Sequence, residues 1–118
     1  MKDLAPDIIR QRLLIEGHYN TTLDEIAVRS YLLELAETLN LLTYGQPIVH
    51  APSGEGKLEN EGFDAFVPLI DSGISLYVWT SSRFFAVVLF TCKAFDVDTA
   101  VQFTERFFRS NNAEFKSF

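Results

Sequence analysis

Few residues in this chain of 118 have side chains that can do covalent chemistry. Ser72, between Asp71 and Gly73, carries a hydroxyl nucleophile, and Cys92 carries the one thiol. Asp-Ser-Gly is also ordinary turn composition, because Asp and Ser bond their own backbone and Gly accepts unusual dihedrals. A lone cysteine ending an apolar run reads first as a small buried hydrophobe. Glu16, His18 and His50 are of metal-ligand type, but two histidines without a cluster fall short of a metal site. Gly54-Glu55-Gly56-Lys57 has neither the spacing nor the following Ser or Thr of a phosphate-binding loop, and reads as a surface loop. Taken alone, none of these motifs is decisive.

Bulk properties narrow the classes. The length fits one domain, spanning 1–118, able to bury roughly two-thirds of its unfolded surface in a single core. Net charge is −6 and the ten Lys and Arg are scattered. Nucleic-acid binding needs a basic stripe, and anionic membrane needs a basic patch, so both are excluded. A single cysteine cannot staple the chain, which suggests a reducing, cytoplasmic setting. Residues Met1 to Arg10 lack the apolar core of a signal peptide. No apolar run approaches the ~20 residues of a spanning helix. Aromatics make up 14% with eleven Phe. That is more apolar surface than one thin sandwich hides, which suggests a self-association surface.

Local patterns predict the elements that must position these residues. Leu13 to Tyr19 reads as a strand. Thr22-Leu23-Asp24-Glu25 has the form of a capping box. Val28, Tyr31, Leu32, Leu35, Leu39 and Leu42 then recur at helical spacing, predicting a helix from Leu23 to Leu41 that ends at Tyr44-Gly45. Gln46 to His50 is a short strand, and Ala51 to Gly62 a loop. Phe63 to Ile70 is a strand whose Pro68 implies an edge or a bulge. Ile74 to Thr80 alternates, with Ile74, Leu76 and Val78 on one face and Ser75, Tyr77 and Trp79 on the other. Ser81-Ser82-Arg83 turns the chain into Phe84 to Cys92, apolar on both faces and so a central strand. Asp96 or Asp98 caps a second helix running through Arg109, and Glu114 to Phe118 is a last edge strand.

The order predicts an α+β fold: a two-layer α/β sandwich with both helices on one face of an antiparallel sheet. One sheet face is then left uncovered, rich in aromatic residues. Stacking two such faces predicts a homodimer of αββα form.

The stretch Asp71-Ser72-Gly73-Ile74-Ser75-Leu76-Tyr77-Val78-Trp79, followed by Leu89-Phe90-Thr91-Cys92 and Asp96-Val97-Asp98, resembles the small prokaryotic S-adenosylmethionine decarboxylases. That family has an acidic residue and Ser, an alternating strand ending in Trp, and a second strand ending in Phe-Thr-Cys. The distances from Ser72 to Trp79 and from Trp79 to Cys92 fit without a gap. The resemblance covers Gly62 to Phe108 well. The first 50 residues match mainly in strand–helix–strand order. It implies that Ser72 attacks the carbonyl of Asp71, that the ester eliminates, and that the chain splits into 1–71 and 72–118. Position 72 then carries a pyruvoyl group, a built-in electron sink for decarboxylation, with no metal needed. By the same resemblance Cys92 is the acid that reprotonates the substrate. A hairpin joining the strand that Ser72 opens to the one that Cys92 closes is expected to bring the two within reach.

The departures are as informative. Where the family has His after the processing Ser, this chain has Gly73. At the family's proton-carrying His stands Tyr77, a poor base near neutral pH. The family's Ser eight positions before the processing site is Asp64. The Pro-Glu after Trp is Thr80-Ser81, so Trp79 and Ser81 occupy the substrate-binding positions without the Glu that helps hold substrate. The residue after Cys92 is Lys93 instead of Gly. Two functional readings follow. One is a pyruvoyl-dependent decarboxylase of S-adenosylmethionine, in spermidine synthesis, or of a basic amino acid such as ornithine or arginine, which an acidic pocket would suit. The other is an unprocessed, non-catalytic homologue that binds a ligand or regulates a partner. A plain interaction domain is the third.

Overall fold

The structure is a computed structural model that describes residues 1–51 and 57–118. Most of the glycine-rich run at 54–57 lies outside the described residues. Among those described, six strands form one antiparallel sheet in the order β2-β3-β4-β5-β1-β6. They are β1 (Gln11–His18), β2 (Ile48–His50), β3 (Gly62–Leu69), β4 (Ser72–Trp79), β5 (Phe84–Thr91) and β6 (Glu114–Ser117), with helices α1 (Glu25–Thr38) and α2 (Val97–Phe108) between them. This is the expected α+β sandwich.

The element ends differ from expectation for physical reasons. Helix α1 is capped by Asp24, whose side chain accepts the Ala27 N–H at 2.8 Å, not by a Thr22–Glu25 box. It stops near Asn40, which takes a positive φ of 58°, a conformation Asn tolerates better than most residues. Leu42 therefore falls outside the helix and is exposed. A short 3₁₀ turn at Leu58–Asn60 interrupts the expected loop before β3. Of the two candidate caps for α2, Asp96 serves, accepting the Thr99 N–H at 2.9 Å. Pro68 marks neither an edge strand nor a bulge: β3 pairs continuously with β4. Its carbonyl accepts from Tyr44 N–H at 2.9 Å, so its nitrogen faces the same side, where β2 has already ended at Ile48 opposite Phe66. No ladder bond to β4 is lost.

Alternation assigns the faces. On the covered face Leu13, Val67, Ile74, Leu76, Val87 and Leu89 are fully or almost fully buried against Val28, Leu32 and Leu35 of α1 and Phe108 of α2. Burial of this hydrocarbon, at roughly 25 cal/mol per Å², is the main favourable term holding the helices on the sheet. Tyr31 brings a hydroxyl into this layer. It lies 2.7 Å from Thr104 Oγ1, which itself donates to the Ala100 carbonyl at 2.8 Å. Tyr31 is thus the donor in a closed chain of bonds. Burial pushes its phenol well above its ordinary pKa.

The opposite face has no covering layer among the described residues. Phe66, Tyr77 and Phe90 are 40%, 38% and 43% exposed there, beside half-buried Trp79, Phe84 and Val88.

Candidate active site

The short β3–β4 hairpin places the first group. Leu69 pairs with Ser72, leaving only Ile70 and Asp71 in the turn. The turn has no glycine to relieve it, and Ser72 adopts φ 126°. A non-glycine residue in such a region stores about 1–3 kcal/mol. Ser72 also pairs with Thr91 at the end of β5, so the expected hairpin joins the two strands. Cys92, one residue further, donates its N–H to the Asp71 carbonyl oxygen at 2.8 Å. Its Sγ sits 4.0 Å from Asp71 Oδ1. The thiol is exposed, which overturns the reading of Cys92 as a buried hydrophobe: β5 ends at Thr91, and Cys92 lies beyond the helix cover.

Asp71, Ser72 and Cys92 therefore form one cluster. Its chemistry is specific to the Asp71–Ser72 bond. The hydroxyl-bearing residue, itself held in a strained dihedral, follows a carbonyl that is already polarised by a backbone donor. If a nucleophile adds to that carbonyl, the negative charge develops on the oxygen that the Cys92 N–H meets, as in an oxyanion hole.

A second cluster lies on the open face. Asp64 pairs directly with Tyr77 across β3 and β4, and His50 with Asp64 across β2 and β3. All three line a shallow cavity of about 340 Å³ with Ile48, Phe66 and Ser75. Within one chain the two clusters do not meet. Tyr77 lies five residues beyond Ser72, roughly 17 Å at strand spacing, and five is odd, so the side chains take opposite faces. Trp79 and Ser81 lie further still, at the other end of β4, where Trp79 packs on Phe84 with ring centroids 5.5 Å apart and Ser81 is exposed in the turn.

A family profile described as S-adenosylmethionine decarboxylase matches residues 14–118. The chain belongs to the S-adenosylmethionine decarboxylase family. Its fold is also that of the crystal structure of the adenosylmethionine decarboxylase from Aquifex aeolicus VF5, with a TM-score of 0.72 at 16% identity, covering 94% of this chain and 89% of that one. No curated protein matches the sequence.

Within this decarboxylase fold one departure has a steric explanation. A Cβ at Gly73 would lie 2.5 and 2.6 Å from Cε2 and Cζ of the Phe66 ring. Phe66 thus fills the space into which a side chain at position 73 would grow, and that half-exposed ring would have to shift to admit one. Among the described residues no group of three or more His, Cys, Asp or Glu is placed to hold a metal ion, and no helix is long and apolar enough to cross a membrane.

The resemblance singled out Asp71, Ser72 and Cys92, and the expected hairpin of their two strands brought them within reach. Sequence reasoning missed the Cys92 backbone donor, since a loop amide has no signature. It also weighed His50 only as a metal ligand. Its place beside Asp64 is a matter of β2–β3 register, and three residues of β2 carry too little pattern to fix one.

Proposed function

We propose that this chain is a cytoplasmic, self-processing decarboxylase that cuts itself between Asp71 and Ser72. The observation that carries this reading is the 2.8 Å bond from the Cys92 N–H to the Asp71 carbonyl, next to the strained Ser72. The Ser72 hydroxyl adds to the Asp71 carbonyl carbon while the Cys92 amide holds the developing oxyanion. Breaking the C–N bond converts the peptide to an ester and relaxes the dihedral at Ser72. Loss of the Ser72 α-proton then expels the Asp71 carboxylate, giving fragment 1–71 and a fragment 72–118 that begins in dehydroalanine, which tautomerises to an imine that water hydrolyses to a pyruvoyl group with release of ammonia. The half-buried start of β4 suits the pyruvoyl group this would leave, because its surroundings are already ordered by the β3 and β5 ladders. Once formed, that group supplies an electron sink for decarboxylation. The exposed Cys92 thiol is the nearby acid that returns a proton to the substrate carbon.

Asp64 and Tyr77 face the open side of the sheet, and Ser72 the other. The open aromatic face is the surface on which a second copy would stack, completing an αββα sandwich. The substrate is S-adenosylmethionine, serving polyamine synthesis, or a basic amino acid. Trp79 forms an aromatic wall of the dimer's site, and Ser81 replaces the acidic residue that would have gripped S-adenosylmethionine.

The test is the intact mass of the freshly purified protein under denaturing conditions. Two fragments, the shorter beginning in a pyruvoyl group at position 72, are expected, with CO2 release then compared for S-adenosylmethionine, ornithine and arginine. A single species of 13.4 kDa after long incubation would sink the reading. It would favour the unprocessed, ligand-binding or partner-regulating homologue, the reading that the replacements at Tyr77 and Asp64 support.

A further inference from the structure

We infer that Gln11 is a positioning residue of the cleavage site: its side-chain amide holds the loop that carries Cys92, and so keeps the Cys92 N–H on the Asp71 carbonyl; this rests on the self-cleaving reading above. Gln11, Thr91 and Ser72 are successive partners across β1, β5 and β4, a polar row at the end of the sheet where the cut would fall. Pairing of β1 with β5 ends at this row. Beyond it the chain leaves β5 through Cys92 to Asp96, and α2 starts at Val97. Cys92, Lys93 and Ala94 are all exposed, so burial does little to fix the path of this loop.

Polar ties fix it instead. Gln11 Nε2 donates to the Phe95 carbonyl at 2.9 Å, and Gln11 Oε1 accepts the Phe95 N–H at 3.0 Å. A planar amide donates and accepts side by side, as a peptide group does. Gln11 therefore prolongs the β1–β5 ladder past the point where the two strands part. Without it, both main-chain groups of half-buried Phe95 would lose the partners that such groups require. Nearer the strand, the Thr91 hydroxyl donates to the Lys93 carbonyl at 2.7 Å, and the Lys93 ammonium donates to the Asn40 carbonyl at 2.9 Å. Cys92 thus lies between Thr91, fixed in the ladder, and Phe95, fixed by Gln11. Its N–H meets the Asp71 oxygen at 2.8 Å, and such a donor stabilises most when it is held in place before the charge develops. Gln11 does not touch the reacting atoms; it acts through the loop.

The test compares chain cleavage by intact mass in the parent, Gln11→Met and Arg83→Ala. Met keeps the length of the Gln11 side chain and loses both bonds. Arg83 holds the carbonyls of Tyr19 and Thr21 at the other end of the sheet, so Arg83→Ala also removes two side-chain ties to main chain and controls for general loosening. Gln11→Met should cleave about tenfold more slowly, short of the loss of about 10²–10³-fold when an oxyanion donor is removed outright, and Arg83→Ala within about twofold of the parent. Cleavage of Gln11→Met within twofold of the parent overturns the inference and leaves self-processing standing. Equal slowing of the two variants also overturns it, because the loss would then be general. A parent chain that never cleaves overturns both readings. A second measurement needs no cleavage: in the uncleavable Ser72→Ala chain, adding Gln11→Met should make the Cys92 amide exchange with solvent at least about fivefold faster, while the Val87 amide at the sheet centre changes by less than about twofold. Unchanged exchange at Cys92 overturns the inference whatever the cleavage rates.

Discussion

The two faces of the sheet are made from alternate residues of the same strands, yet they solve opposite problems. On the covered face Leu76, Ile74 and Leu89 reach zero exposure beneath two helices. On the open face their sequence neighbours Tyr77 and Phe90 stay 38% and 43% exposed, beside the Asp64–Tyr77 and His50–Asp64 pairs. The covered face accepts a polar group only when every bond is satisfied. The open face gathers aromatic rings with titratable groups that only an added layer would desolvate. One face holds the fold, and the other is left open among the described residues.

The sharpest way to break this comparison is to truncate one residue on each face. Leu76→Ala should cost about 2–5 kcal/mol through lost transfer energy and a cavity, read as a lower urea midpoint that does not depend on protein concentration. Phe90→Ala should cost under about 1 kcal/mol in dilute protein, with a loss that grows as concentration rises if, as proposed, a second copy stacks on this face. Equal, concentration-independent losses would mean the open face contributes to the fold of one chain, and the stacked dimer would lose its argument. Phe90→Glu carries the same contrast further. It should give a folded monomer by analytical ultracentrifugation, because the proposed stacking would bury an unpaired charge. A cleaving monomer would show that one chain suffices.

These contrasts also explain what could be read from the sequence. The covered face was legible because period-two alternation in Ile74 to Trp79 and helical spacing from Val28 to Leu39 each report burial directly. The long apolar run of Phe84 to Cys92 announced a central strand, and β5 is one. Helix ends were less legible: Asp24 and Thr22 are both good caps, and only the path of the chain decides between them. The hairpin cluster was legible in part, since Ser72 and Cys92 bracket two adjacent strands. Its backbone donor and strained dihedral belong to coordinates, not residue types. The open-face row was not legible, because His50, Asp64 and Tyr77 become neighbours only through two registers, one of them held by a three-residue strand.

The strain at Ser72 offers a smaller test, at the point where the faces meet. Ser72→Gly should stabilise the uncleaved chain by about 1 kcal/mol, because glycine adopts φ 126° without a Cβ clash. Ser72→Ala removes the same hydroxyl and should give no such gain. Both abolish cleavage, so thermal denaturation compares them on intact chains. Equal stability of the two would mean that the dihedral is relaxed in solution, and strain would drop out of the account of the Asp71–Ser72 bond.

The finest comparison sets one tyrosine on each face. Tyr31→Phe removes the donor to Thr104, whose own proton remains bonded to Ala100, so the cost should be only about 1 kcal/mol at neutral pH. Tyr77→Phe, on the open face, should change folding stability by less than about 0.5 kcal/mol, whatever it does to cleavage. Alkaline pH separates them further. Burial raises the Tyr31 phenol above its ordinary value near 10, so the folded chain resists ionisation that the unfolded chain undergoes freely. That contribution is fully present below pH 10 and is lost as pH climbs through the range between the unfolded and folded values. Thermal denaturation above pH 10 should therefore fall steeply in the parent and in Tyr77→Phe, and less steeply in Tyr31→Phe. If all three fall alike, the alkaline loss comes from other groups, and the sealed character of the covered face would rest on hydrocarbon packing alone.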